Sequence, residues 1–137
     1  MPERKTKERA RRAKRAGKSA STQAGEFVRE EIHHIREGKH GARSTKQAIA
    51  IGLSKARRAG VPLKPPKKGS ASAKTRRKAQ RDAASGAKAK SRPSPKRAKA
   101  TESALKREGH GAASHGALVK HARSVAKHRT AAQRSSA

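Results

Sequence analysis

STKQAIAIGLSKARRAG, Ser44 to Gly60, is the stretch on which the reading of this chain turns. Ser44 followed by Gln47 fits a capping box, in which a serine hydroxyl accepts a backbone N–H of the first turn. Ile49, Leu53 and Ala56 share one helical face, with Gly52 near its edge and Ala48 and Ala59 beyond. Gly60 supplies a left-handed stop, Val61 folds back on the last turn, and Pro62 prevents continuation. The spacing predicts a helix with a defined beginning, a defined end and one apolar face in need of a partner.

The nearest partner lies just upstream. EFVREEIHHIREG, Glu26 to Gly38, places Val28, Ile32 and Ile35 at helical spacing with Phe27 beside them. Thr22 is the expected N-cap, Glu26, Glu30 and Glu31 favour the N-terminal half, and Gly38 is the expected stop. GKHGAR, Gly38 to Arg43, has the length of a loop between antiparallel helices. A helical hairpin over residues 22–61 follows, with small Ala48, Gly52 and Ala56 permitting close approach. A unit of this size is at the limit of independent folding. Self-association through the hairpin, as a homo-oligomer, or stabilisation on its target is therefore expected.

The rest of the chain looks unlike a globular domain. It has 137 residues, 38 Lys and Arg against 9 Asp and Glu, a formal net charge of +29 and one aromatic residue, Phe27. Leu, Ile, Val and Phe together number 13, well under the roughly 20% floor for ordered, highly charged chains. Ordering a residue costs on the order of 1–2 kcal/mol, which so few large apolar side chains do not offset. The expectation is an all-α but mostly disordered chain. Residues 1–20 read as a basic N-terminal arm and 21–62 as the hairpin module. Residues 63–100 read as a low-complexity basic linker, and 101–137 as marginal C-terminal helices. In the last region, Leu118, Val119, Ala122, Val125 and Ala126 fall on one face, with Ser114 as cap. A shorter helix is expected from Ser94, with Pro95 at N1, to Gly109.

A charge this one-sided points to a polyanion, nucleic acid first. The cations expected to neutralise phosphates are Arg9, Arg11, Arg12, Lys14 and Arg15 in the arm, and Lys46, Lys55, Arg57 and Arg58 in the second hairpin helix. Lys64, Lys67, Lys68, Arg76, Arg77, Lys78, Lys96 and Arg97 continue the set in the basic linker. No aromatics are interleaved with them, so single-stranded bases have nothing to stack on. Duplex DNA is favoured over RNA, and the expected function is non-sequence-specific, nucleoid-associated DNA binding that neutralises and bridges or compacts DNA. An RNA- or ribosome-associated basic protein is the alternative. The hairpin also fits a helix-turn-helix outline, but a structural or dimerisation module is favoured because a third core helix is missing.

SPKR, Ser94 to Arg97, resembles the S/T-P-K-K/R motif of linker-histone tails, which implies minor-groove contact by Lys96 and Arg97. STKQAIAIGLSKARRAG resembles a group of small, lysine-rich, functionally uncharacterised bacterial proteins that carry S-x-K-Q-A-I-A-I-G-L-S-x-A-R-x-x-G before a basic, Pro-containing tail. The match covers Ser44 to Gly60. The resemblance implies a bacterial cytoplasmic setting and nucleic-acid association, and brings no activity or site residues.

Other classes have less support. Zero cysteine excludes disulfides and thiol catalysis. No nucleophile elbow, phosphate-binding glycine loop or paired acids suggest an enzyme. His33 and Glu37 share a helical face, but two ligands do not make a metal site, so no metal or other cofactor is expected. No run of about 18 apolar residues is present to span a bilayer, and the helices lack the wide apolar face of an interfacial binder.

Overall fold

The computed structural model describes residues 2–69, 71–87 and 94–129. Residue 1, residue 70, residues 88–93 and residues 130–137 lie outside that set. They include parts of the expected basic linker and the end of the expected C-terminal region.

The described residues form six α-helices and one 3₁₀ turn: α1 (Arg4–Arg15), α2 (Ala20–Arg36), α3 (Thr45–Arg58), α4 (Ala73–Ala87), α5 (Pro95–Lys106), the 3₁₀ turn Gly111–Ala113, and α6 (His115–Lys127). Helices α2 and α3 make the central pair. Helix α1 packs on α2, α4 packs on α3, and the 3₁₀ turn with α6 closes over one end of the pair. The expectation of a mostly disordered chain around one hairpin is therefore wrong. The hairpin is the middle of a packed all-α bundle, and its apolar surface is covered by other parts of the same chain.

The physical reason lies in the kind of core that forms. The expectation weighed large apolar side chains, whereas this core is built mainly from alanine and glycine. Ala10, Ala24, Ala42, Ala48, Ala56, Ala79 and Ala113 are all buried, several completely. Alanine loses no side-chain freedom on folding and is the best helix former. At Gly52 the two central helices nearly touch: a Cβ there would stand 2.6 Å from the Val28 Cα. Close backbone approach recovers in dispersion what small side chains lack in buried area. Phe27 and Ile35 are the large apolar residues at the centre. One cluster joins Phe27 to Ala10, Ala24, Ala56 and Val61; another joins Ile32 and Ile35 to Ala42, Ala48 and Ala113.

Local signals set the boundaries. The Ser44 hydroxyl accepts from the Gln47 N–H at 3.2 Å, while the Gln47 side chain accepts from the Arg43 N–H at 2.5 Å. Helix α3 ends with Gly60 at φ 96° and a Val61 N–H to Ala56 carbonyl bond of 3.0 Å. The buried stripe of α3 is Thr45, Ala48, Gly52 and Ala56 rather than Ile49 and Leu53, which are half-buried. The N-cap of α2 is Ser19, three residues before Thr22, and its hydroxyl accepts from the Thr22 N–H at 3.3 Å.

Two segments outside the expected hairpin dock on it. Helix α4 falls within the low-complexity basic stretch and buries Ala79 and Asp82. The GKHGAR linker is tied to the C-terminal end of α5: the N–H of Gly41 donates to the Leu105 carbonyl at 2.8 Å, and that of Ala42 to the Gly109 carbonyl at 3.0 Å. The 3₁₀ turn is held by Arg36 Nε on the Ala113 carbonyl and Thr45 Oγ1 on the Ala112 carbonyl, both 2.8 Å.

Candidate nucleic-acid interface

Acids and bases are partitioned differently by this fold. Glu30, Glu31 and Asp82 are buried, three of the nine acids in the chain. Burying a carboxylate is costly unless it is paired, and each of the three has partners within the chain. Glu31, fully buried, receives Lys55 Nζ on Oε1 and faces His40 Nε2 at 3.0 Å from Oε2. Asp82 accepts from Ser54 Oγ at 2.7 Å and from Arg58 Nε at 2.9 Å. Glu30 accepts the Glu3 N–H at 2.5 Å. Apart from Arg57, no lysine or arginine among the described residues is buried. Among the described residues, the carboxylates pair with Lys39, Lys55, Arg58, Lys106 and two histidines, and none pairs with a lysine or arginine of α1.

The expected phosphate-binding residues divide accordingly. Arg9, Arg11, Arg12, Lys14 and Arg15 are exposed on α1, whose inner face carries Thr6 and Ala10. Arg77 and Lys78 are exposed on α4, and Lys96 and Arg97 on the first turn of α5. Lys46 is exposed near the start of α3, and Lys64, Lys67 and Lys68 are exposed on the segment after it. Others are structural. Arg57 is only 7% exposed and turns inward. Its Nη2 donates to the Lys64 carbonyl at 3.1 Å, holding the segment after α3 against the helix. Burial pulls its pKa below the usual arginine value. Lys55 serves Glu31, and Arg58 serves Asp82 while keeping half its side chain in solvent. Arg76 is half-buried, with its Nε enclosed.

Sequence reasoning passed over Lys74 and Arg81 on α4, and Lys99, Lys106 and Arg107 at α5, all exposed. A helix reading of 73–87 would have put Arg77 and Arg81 on the side away from Ala79 and Asp82. The signal was Asp82, the one acid in a long cationic stretch.

A second polar centre lies where the N-terminal segment, α2 and the α2–α3 linker meet. His34 Nε2 is 3.1 Å from Glu3 Oε1 and 4.0 Å from Glu30 Oε1. Lys39 Nζ lies 3.6 Å from Glu3 and 3.2 Å from Glu37. The His34 contact, followed by Lys39, holds the Glu3 carboxyl below its ordinary pKa, and Glu37 followed by Glu3 raises that of Lys39. His33, which the sequence pairing with Glu37 had singled out, is exposed. Its neighbour His34 is the one turned toward carboxylates.

No helix among the described residues is long and apolar enough to cross a membrane. Residues 9–68, from α1 through the segment after α3, match a family of unknown function (DUF6496). No curated protein matches the chain. No solved structure matches it either, so residues 9–68, with their similarity to that family, are where the comparison with known proteins ends.

Proposed function

We propose that this protein binds duplex nucleic acid through its phosphate backbone without reading sequence, with DNA the favoured duplex. The observation that carries this reading is the partition of charge. The buried carboxylates of Glu31 and Asp82 are paired with Lys55 and Arg58 of the chain itself, while α1, α4 and α5 present lysine and arginine outward. A surface of that kind attracts any polyanion, and releasing condensed counterions from a duplex supplies the binding free energy. The single aromatic ring, Phe27, is 1% exposed. The surface therefore offers no Phe, Tyr or Trp ring for unpaired bases to stack on, which favours a duplex over a single strand. The order of the fold adds to the argument: cations on rigid helices lose less freedom on binding than cations on a coil.

The test is a salt titration of binding to a duplex of about 40 base pairs, where log K falls by about 0.9 per neutralised phosphate for each log unit of salt. Double-stranded and structured RNA of matched length serve as competitors. A steep slope with DNA retained against RNA supports the reading. Preferential loss to structured RNA moves the protein to the RNA-associated alternative. Binding indifferent to salt removes the electrostatic mechanism altogether.

A further inference from the structure

The polar centre around Glu31 and His40 has a donor deficit. His40 Nδ1 lies 2.9 Å from the Gly41 carbonyl oxygen, and His40 Nε2 lies 3.0 Å from Glu31 Oε2. Both neighbours are acceptors. A neutral imidazole carries one N–H, and the tautomer that serves the carbonyl oxygen has it at Nδ1. That leaves the Nε2 lone pair aimed at a carboxylate oxygen, an arrangement that needs a cation or a second proton between them. A ring N–H held by a backbone carbonyl is also the arrangement that orients histidine as a metal ligand through its other nitrogen.

The surroundings are set for a cation. One ligand atom from each of Glu31, His34 and His40 lies within 4.8 Å of the others, and Glu3, Glu30 and His34 form a second trio that shares His34. The two imidazoles stand edge-to-face with ring centres 6.1 Å apart. The Glu30 side chain is 3% exposed, and its Oε2 is buried with no hydrogen-bond partner. Lys55 occupies Glu31 Oε1 and leaves Oε2 to the histidine side. Within the centre, the carboxylates Glu3, Glu30 and Glu31 outnumber the ammonium groups of Lys39 and Lys55. A cation is therefore accepted locally despite the net charge of +29.

We propose that Glu31, His34 and His40 bind one divalent transition-metal ion of the zinc type, with a solvent oxygen as fourth ligand. Two imidazoles and a carboxylate suit zinc, which takes nitrogen and oxygen donors at about 2.0–2.2 Å in tetrahedral geometry. The edge of such a tetrahedron is about 3.4 Å, so the trio closes by no more than about 1.5 Å, within reach of side-chain rotation. The ion joins α2, through Glu31 and His34, to the linker before α3, through His40.

The experiment uses the full chain, stripped with chelator and titrated with Zn²⁺ alone by calorimetry, with a melting curve at each end-point. The expected result is one ion per chain and a melting temperature raised by the metal. Affinity should fall at least about tenfold in both His34→Ala and His40→Ala, by analogy with what loss of even an outer-shell partner does. It should be unchanged in His121→Ala and His128→Ala. Circular dichroism of the metal-free variants establishes that they fold. A Co²⁺ titration of the unaltered chain gives a readout that needs no variant: tetrahedral ligation produces intense visible absorption. The proposal is overturned by absence of saturable binding, by weak octahedral-type Co²⁺ spectra, by His40→Ala binding as tightly as the parent, or by loss of binding with His121 or His128 instead.

Discussion

At Gly52 the side chain that is absent decides the packing. In an exposed helix interior, glycine to alanine stabilises by about 1 kcal/mol, because alanine has less backbone freedom to lose. Gly52→Ala should do the reverse, since its Cβ would stand 2.6 Å from the Val28 Cα and 2.9 Å from Val28 Cγ2, and backbone cannot step aside cheaply. Overpacking of this kind costs about 1–3 kcal/mol. Gly25, in α2, is the internal control. A Cβ there meets nothing within 4 Å, so Gly25→Ala should stabilise by about 1 kcal/mol. Urea melts of the two variants test the pair; equal signs would mean that α2 and α3 do not approach as closely as described. Glu31→Gln belongs to the same scale. It removes the fully buried negative charge that pairs with Lys55 and faces His40, and breaking a buried ion pair from one side costs about 3–5 kcal/mol.

The elements differ in how readily the sequence discloses them. Helix α3 was legible because its ends are written in short-range chemistry: Ser44, Gln47, Gly60 and Pro62 act within a turn of themselves. The start of α2 was missed by three residues because Ser19 and Thr22 are both cap formers, and only the fold chooses between them. Helix α4 was illegible for a different reason. Its docking depends on Ala79, Asp82 and Gly86, none of which forms a hydrophobic stripe. Gly86 is there because a Cβ would run into the Arg57 carbonyl, a contact across more than one element. The cluster of Glu31, His34 and His40 was hidden likewise, since His40 comes from the linker and arrives by tertiary structure. Asp82→Ala tests the role of its ion pair. It removes the acceptor of Ser54 and Arg58 and should cost about 2–3 kcal/mol. Amide protection should be lost over residues 73–87 while α2 and α3 keep theirs. The docking of α1 has a pH signature. The Glu3 carboxyl is held below its ordinary value of 4.5 by His34 first, then Lys39. A depressed carboxyl stabilises the folded form above its unfolded pKa, and that contribution is lost as pH falls through the lower folded value. Helix α1 should therefore loosen below pH 4.5, read by amide exchange over residues 4–15, and Glu3→Gln should flatten that acid limb.

For the molecule as a whole, the question is whether charge and fold are separable. A chain at +29 repels itself, and the repulsion is screened beyond about 10 Å at 0.1 M salt. The fold answers it by placing the few acids where they stabilise most and leaving the bases where a polyanion reaches them. This division makes opposite demands of two sets of cations. Changing Arg11, Arg12, Lys14 and Arg15, all exposed on α1, to glutamine should leave the melting temperature unchanged or higher, because self-repulsion falls. The same variant should bind a DNA duplex with a salt slope shallower by about 3 to 4, one phosphate contact per cation removed. Arg57→Gln should behave in the other way. Its guanidinium is buried and holds the Lys64 carbonyl, so its loss lowers the melting temperature, while the folded fraction keeps the full slope. If Arg57→Gln flattened the slope and the α1 variant did not, the cations that meet phosphate would be the inward ones, and the partition of charge would not be the basis of binding.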